Sequence, residues 1–398
     1  MEQVIQAEML EEKIRFEIED EYSVKILQKD RIEETKALWK EAFPQASDEY
    51  LNFYFQNRAS DALAFVESDE QQMVSMLHLL PYSTAMRRNP PSPGYNRLPC
   101  MADVVRVDTN FISGLISKEA YRNHGNAQRV LKSALEYQNR MKVPFTFMTA
   151  EQEELAREHG FYPIYERELY ELKKEQISKE MLQRAHEGER QELETGHVLS
   201  ALDKSELLSL AHFVNANLCR TYGMFHIRSA VYYENLHNEA LSKNGDIFVL
   251  RKDGKIVGYF VFFDEREEYV KEVIFENKNE LGQFFYCEHE KKPYIMARIV
   301  NLPEILKHIS SNGKVTVAVR INDPVMPEND GLFIWYLNET GSYLERVEET
   351  DKLSQYRPEL TVSIGELTAF LFEQIELKKS LKFESMYLSG PVWLNDIA

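Results

Sequence analysis

The alternation of apolar and polar positions predicts short strands and amphipathic helices from residue 22 onward. YSVKILQ reads as a strand. Asp30 is placed to cap a helix running to about Ala42, and Ser47 or Asp48 to cap a second one through YLNFYFQN. Two further strands, ALAFVES and MVSMLHLLPYSTAM, are parted by a charged turn at Asp69 and Glu70. The proline density of RRNPPSPGYNRLP forbids regular structure and marks a surface loop. TNFISGLIS is the next strand, and 127–141 a helix with Val130, Leu131, Ala134 and Leu135 on one face. PFTFMTA reads as a short buried strand. A helix from about Gln152 to His159 stops at Gly160, where positive φ is easily adopted, and FYPIYERELYEL returns as a strand. Mixed elements over this length describe one compact α/β or α+β domain.

The flanks are read more coarsely. The first twenty residues carry seven acids and two bases, with Ile5, Met9, Ile14 and Ile18 loosely spaced; they are expected to form a helical extension (1–21) outside the main fold. The charged stretch 173–194 reads as a linker helix, with a domain boundary near it. Beyond it, LSALDKSELLSLAHFVNANLCRTYG has helical spacing, and Asp253-Gly254 between two apolar runs signals a hairpin. A third unit is expected from YIMARIVNLPEILKHI through VTVAVRI, GLFIWYL and VSIGELTAFLFEQIEL, a small α/β sandwich. No tandem repeat is visible.

With 398 residues the chain exceeds what one hydrophobic core serves, so two or three domains are expected. Hydrophobic residues at 43%, charged residues at 28% and a mean hydropathy of −0.45 fit a soluble globular protein. No apolar run approaches the roughly 18 residues of a membrane span, and the acidic start lacks a secretory pattern, so a cytoplasmic location without membrane contact is expected. Lysine and arginine number 47 against 65 acids, a net charge of −18. That field disfavours nucleic acid and favours a cationic small molecule or peptide, although an acidic balance also simply supports solubility. Cys100, Cys219 and Cys287 are scattered and outside any CxxC pair, so buried reduced thiols are expected. No H-E-x-x-H or paired Cys/His spacing appears, Cys287-Glu288-His289-Glu290 being the nearest cluster, and no metal is expected. No G-x-S-x-G elbow is present. Aromatic runs such as YLNFYFQN, and Phe370, Leu371 and Phe372, are read as core.

The candidate chemistry lies in ISGLISKEAYRNHGNA, where a strand enters a loop of Arg122, Asn123, His124, Gly125, Asn126 and Ala127 and a helix follows at once. Successive amides at a helix start attract phosphate, the small Gly125 and Ala127 let an anion approach, and Arg122 adds a donor fork. Taken alone, R-x-x-G-x-A is also compatible with an ordinary capped turn.

Together, ISGLISKEAYRNHGNAQRVLKSAL and FTFMTAEQEELAREHGFYPIYERELYEL resemble the GCN5-related N-acetyltransferase (GNAT) superfamily. That resemblance implies a loop, Arg122 to Gln128, holding the pyrophosphate of acetyl-CoA, and a splayed strand at Leu115, Ile116 and Ser117 facing the pantetheine arm and thioester. DRIEETKALWKEAFPQ, GKIVGYF without a second loop, and MARIVNLPEIL extend the resemblance over 22–398 to the enhanced intracellular survival group. The implied organisation is mixed α/β: tandem GNAT folds at 22–172 and 173–292, the second degenerate, then a sterol carrier protein 2-like α/β domain at 293–398. The group uses the chain-end carboxylate as base, which implies Ala398, at the end of WLNDIA. Its general-acid tyrosine aligns with Ala156, with Tyr121, Tyr162 and Tyr165 nearby in sequence. Members of the group commonly assemble, and the acidic surface neither favours nor opposes a homo-oligomer. The expected reaction is acetyl transfer to a primary amine resembling an aminoglycoside, polyamine or lysine. A GNAT fold that binds CoA or a partner without catalysis, and a lipid-binding last domain, stand as alternatives.

Overall fold

The computed structural model describes residues 2–70, 72–87, 99–264, 268–287, 291–347, 357–377, 386–387 and 390–395. The first part runs α1 (Glu2–Tyr22), β1 (Lys25–Leu27), α2 (Lys36–Ala42), α3 (Asp48–Phe53), β2 (Leu63–Asp69), β3 (Gln72–Arg87), β4 (Val104–Ser117), α4 (Asn126–Arg140), β5 (Phe145–Thr149), α5 (Glu153–Glu158), β6 (Tyr162–Arg167) and β7 (Tyr170–Leu172). The middle runs α6 (Lys179–His186), β8 (Gln191–Glu192), β9 (Val198–Ala201), α7 (Leu207–Thr221), β10 (Met224–His226), α8 (Ala230–Ser242), β11 (Asp246–Lys252), β12 (Lys255–Asp264), β13 (Glu268–Phe275), α9 (Lys278–Phe284) and β14 (Phe285–Cys287). The last part contains β15 (Lys292–Ile299), α10 (Leu302–Leu306), β16 (Ser310–Ser311), β17 (Val315–Asn322), β18 (Gly331–Asn338), β19 (Gly341–Arg346), β20 (Leu360–Ser363), α11 (Ile364–Leu371), β21 (Met386–Tyr387) and β22 (Val392–Trp393).

The fold is mixed α/β, as expected. Its main sheet has the order β1-β2-β3-β4-β5-β15-β6, with β10 added to the far end of β3 and β22 to β10. A second, antiparallel sheet has the order β13-β12-β11-β9-β8, and a third has β19-β18-β17-β20. Local signals held at several points. Ser47 caps α3, accepting from Tyr50 N–H at 3.1 Å. Asp253 and Gly254, with φ of 50° and 76°, turn β11 into β12. Gly160 closes the α5 turn at φ 79°. Phe370, Leu371 and Phe372 are buried, and the Phe372 ring meets Phe145 at 5.3 Å.

Several expectations need correction. The amino-terminal helix is not outside the fold: Ile14 and Ile18 are buried with α4 residues in one core cluster. Tyr137 donates to Glu11 at 3.2 Å, and Arg140 reaches Glu17 at 3.1 Å and Glu21 at 2.8 Å. Asp30 caps nothing, because a 3₁₀ turn entered from Gln28 occupies Lys29–Thr35 and α2 starts only at Lys36. The stretch 173–194 is no bare linker, since Ile177, Leu182, Ala185 and Leu193 pack with the second sheet. Strand β15, read as the opening of a separate last unit, lies in the main sheet between β5 and β6. Its residues Ile295 to Ile299 are buried throughout, so two strands and α11 cover edges that β15 alone would leave open. The proline-dense loop lies largely outside the described residues.

Candidate active site

Strands β4 and β5 pair in parallel only over Asn110–Ile112 and Thr146–Met148. The cause of their divergence is written into β4. Its register on β3 shifts between His78, opposite Ser113, and Met76, opposite Ile116, which leaves Gly114 and Leu115 facing one residue. Gly114 has φ +59°, and the Trp39 ring lies where a side chain would stand, 2.1 Å from an added Cβ. Only glycine satisfies both conditions. Beyond Ile112, the β5 side of β4 opens into space, where Gln152 Nε2 donates to the Leu115 carbonyl at 2.6 Å.

After Ser117 a 3₁₀ turn at Glu119–Tyr121 leads to Arg122 and into α4. Asn123 and Gly125 take φ of 63° and 81°, a curl that turns successive amides toward one side. The side chains that hold it are local. Asn126 Nδ2 donates to the Tyr121 carbonyl at 3.1 Å, and Arg129 binds Asn126 Oδ1, the His124 carbonyl at 3.3 Å and Glu67 at 2.9 Å. The backbone amides of Asn123 to Gln128 meet no acceptor among the described residues. Arg122 is exposed, its Nε 3.4 Å from the Ser117 carbonyl.

Two cavities adjoin here. The larger, about 550 Å³, is lined by Leu115, Ile116, Ser117, Arg122, Asn123, Gly125, Asn126, Ala127 and Gln128 together with Tyr121 and α5. Of the loop residues read from sequence, His124 alone is not on its wall, contributing instead the carbonyl that fixes Arg129. The smaller cavity, about 360 Å³, is walled by Trp39, Phe43 and Tyr50, floored by Ser113 and closed by Lys243. Phe43, Leu115, Glu151 and Gln152 line both. Glu151 is the one carboxylate among the described residues on the smaller cavity's wall. The Lys243 ammonium sits 4.2 Å from the Tyr50 ring centre and 3.4 Å from Glu239.

Behind the smaller cavity lies a polar network that sequence reading missed. Thr35 Oγ1 is 2.8 Å from His78 Nε2, His78 Nδ1 is 3.0 Å from the Tyr54 hydroxyl, and that hydroxyl is 3.2 Å from Ser113 Oγ. Trp39 stacks on both rings, 4.2 Å from Tyr54 and 5.3 Å from His78. Tyr54 starts a π turn, in which Ala59 N–H reaches the Tyr54 carbonyl at 2.8 Å. Burial pushes the His78 imidazole down to about 3 and the Tyr54 phenol up.

Ala156 is fully buried in the core cluster and lines neither cavity, whereas Leu155 and Glu158 of the same helix line the larger one. Tyr121 lines that cavity with its hydroxyl 2.8 Å from Asp69, and hydrogen bonding to that carboxylate holds its phenol above the ordinary range. Tyr162 lies under Arg157, and Tyr165 is buried against Tyr294 and Trp393. Ala398 falls outside the described residues, the last of which, Asn395, donates to the Lys271 carbonyl at 3.2 Å. Among the described residues no three His, Cys, Asp or Glu side chains gather as metal ligands would, and no helix is long and apolar enough to cross a membrane. The three cysteines form no disulfide, and Cys287 is exposed rather than buried.

No protein-family model matches the sequence, and no curated protein does. Solved structures do. A GCN5-related N-acetyltransferase from Anabaena variabilis superposes with a TM-score of 0.67 at 15% identity, over 94% of this chain and 100% of its own. A conserved Enterococcus faecalis protein of unknown function, a probable N-acyltransferase, gives 0.61 at 17% identity over 88% and 89%. Eis1 from Mycobacterium abscessus gives 0.61 at 8% identity over 94% and 99%. At these identities the likeness establishes the fold alone, which this chain shares with those three structures.

Proposed function

We propose that this chain is an acyl-CoA-dependent N-acyltransferase, with acetyl-CoA as co-substrate and a primary amine as acceptor. The observation that carries the reading is the row of amides from Asn123 to Gln128 that meet no acceptor among the described residues, in a loop sharing one cavity with Leu115, Ile116 and Ser117, past the point where β4 has parted from β5. Such a row, with Arg122 beside it, suits a diphosphate. The gap leads from that loop to the smaller cavity through Leu115 and Gln152, as an extended pantetheine arm requires. The co-substrate supplies the activated thioester; the chain's part is to orient it, exclude water and accept the amine's proton. Glu151, on both walls, or the Ala398 carboxylate is the base, because an ammonium must lose its proton before nitrogen can attack. Gln152 Nε2, now on the Leu115 carbonyl, is the polar donor at the junction.

The same reading places the protein in the cytoplasm, in the enhanced intracellular survival group. Its middle part is a degenerate second GNAT copy, and the residues from 293 are a sterol carrier protein 2-like domain whose first strand has joined the main sheet.

The test is release of CoA thiol from acetyl-CoA with spermidine, an aminoglycoside and a lysine peptide, beside calorimetric binding of acetyl-CoA. Thiol release with at least one amine is expected. Glu151→Gln should slow it about 10²-fold or more, with acetyl-CoA affinity unchanged. If Glu151→Gln is fully active and removal of Ala398 is not, the chain end is the base. Binding of acetyl-CoA without transfer to any amine supports the non-catalytic alternative.

A further inference from the structure

The smaller cavity carries charge at two places, and they lie at different ends. Glu151 lines both cavities, so its carboxylate stands where the two meet, with Gln152 and Leu115. Lys243 lines the smaller cavity alone and is, among the described residues, the one cation on its wall. Its backbone is pinned: Lys243 caps α8, its N–H donates to the Ala240 carbonyl at 3.0 Å, and its own carbonyl accepts from Asp264 N–H at 3.2 Å. The middle part of the chain thus delivers an ammonium into a cavity whose other wall residues all come from the first part.

That ammonium is short of negative charge. Glu239 accepts from Arg58 at 2.6 Å through one oxygen and from Lys271 at 2.8 Å through both, which leaves Lys243 the longest contact, 3.4 Å. Arg58 and Lys243 alone already outnumber the one carboxylate, and of the three cations only Lys243 reaches the smaller cavity. The Tyr50 and Phe263 rings, centred 4.2 and 4.9 Å from the ammonium, attract it without neutralising it. An ammonium has three donors, and no second acceptor meets this one among the described residues. With its side chain only 15% exposed, a counter-charge brought to it is poorly screened by water.

We infer that the acceptor substrate is an amino acid, held with its carboxylate on the Lys243 ammonium and its amine turned toward Glu151, an inference that rests on the transferase reading for what the amine meets there. Trp39, Phe43, Phe111 and Met148 on the walls suit a carbon skeleton that joins the two charges, and the volume of about 360 Å³ is at the small end of ligand sites. A polyamine or an aminoglycoside sets a further ammonium against Lys243 and is the poorer acceptor. The field of the whole molecule works the other way: at a net charge of −18 it favours the more cationic of two otherwise equal ligands. Preference for the carboxylate-bearing ligand therefore reports the local cation.

The test measures binding beside turnover, so that the two readings can fail separately. L-lysine against cadaverine, and L-leucine against isopentylamine, are titrated calorimetrically into the full chain; each pair is an amino acid and the amine left when its carboxylate is removed. Wild type, Lys243→Met and Lys243→Arg are compared, with acetyl-CoA affinity and melting temperature measured on the same samples. Wild type should bind at least one amino acid about tenfold more tightly than its matched amine, as one charge-assisted hydrogen bond provides. Lys243→Met should abolish that preference with acetyl-CoA affinity and melting temperature unchanged, and Lys243→Arg, which keeps the charge, should retain it. If Lys243→Met does not fold, Lys243→Gln is judged by the same criteria in its place. No preference in wild type, binding of none of the four ligands, or a preference that survives in Lys243→Met overturns the inference. Loss of acetyl-CoA affinity together with the preference overturns it too, since that marks a structural role. Carboxylate-selective binding that depends on Lys243, without thiol release, removes the transferase reading and leaves the Lys243 carboxylate site standing. Equal thiol release with amino acids and matched amines does the reverse.

Discussion

Ala156 and Leu155 are neighbours on α5, yet one is fully buried and the other lines the larger cavity. A motif alignment fixes a residue's place in the chain, not the side of the helix it takes. Placing a phenol at 156 crowds the cluster that includes Leu131, Met148 and Phe161. Ala156→Tyr should therefore lower stability by about 1–3 kcal/mol in urea unfolding and leave thiol release no faster than wild type. A rate gain in a stable variant would show that this side chain can reach the thioester after all. The loop residues Arg122 to Gln128 were legible because their chemistry is local: small residues, a helix start and an arginine within seven positions. Ser113, Tyr54 and His78 were not, because partners 24 and 59 residues apart meet only after β3, β4 and α3 have packed.

At the scale of elements, the bulge in β4 is what makes a site of an ordinary sheet. The pairing of β4 with β5 ends at Ile112, the Trp39 ring fills the space over Gly114, and the same ring stacks on Tyr54 and His78. Gly114→Ala asks a non-glycine residue to hold φ +59° and forces Trp39 off that stack. The expected cost is about 2 kcal/mol or more from backbone strain and overpacking together, read by chemical unfolding, with weakened amine binding in whatever remains folded. An unchanged unfolding midpoint would mean that β4 can shed its bulge freely. Strand type was readable for the longer runs of the main sheet, because a run such as MARI is apolar whichever sheet receives it, whereas β10, β13 and β19 carried no expectation and β9 overlaps a stretch read as helical. Sheet membership was not. Ile295 lands beside Thr149 and Tyr165, both far earlier in the chain, and no periodicity encodes that partner. The packing of α1 was not legible for a related reason, its buried stripe amounting to Ile14 and Ile18 in 21 residues while Glu11, Glu17 and Glu21 do the rest through α4.

At the scale of the whole molecule, a net charge of −18 leaves unspecified that some of the charges hold its parts together from within. Glu239 of α8 is buried and receives Arg58, from the end of the π turn after α3, at 2.6 Å, and Lys271 of β13 at 2.8 Å, with Lys243 at 3.4 Å. One carboxylate thus joins the main-sheet side to the second sheet, and Asn395 on the Lys271 carbonyl adds the carboxy-terminal stretch. Burial alone would raise the Glu239 carboxyl, but Lys271, Arg58 and Lys243 hold it below the ordinary range. Three cations sharing one carboxylate leave Lys271 short: burial pushes it down from 10.5 to about 7 despite Glu239. The folded chain therefore releases that proton near pH 7, while the unfolded chain keeps it to about pH 10.5. Across this window the unfolded state binds more protons, so stability contributed by this site rises with pH, by at most about 1.4 kcal/mol per unit. Urea unfolding of wild type and Lys271→Met at several pH values should show the wild type gaining on the variant from pH 7 upward. Parallel curves would mean that Lys271 keeps an ordinary charge in the folded protein. Glu239→Gln, which strands Arg58 and Lys243 and lets Lys271 shed its proton already below pH 7, should cost about 3–5 kcal/mol at pH 7 in the same urea unfolding.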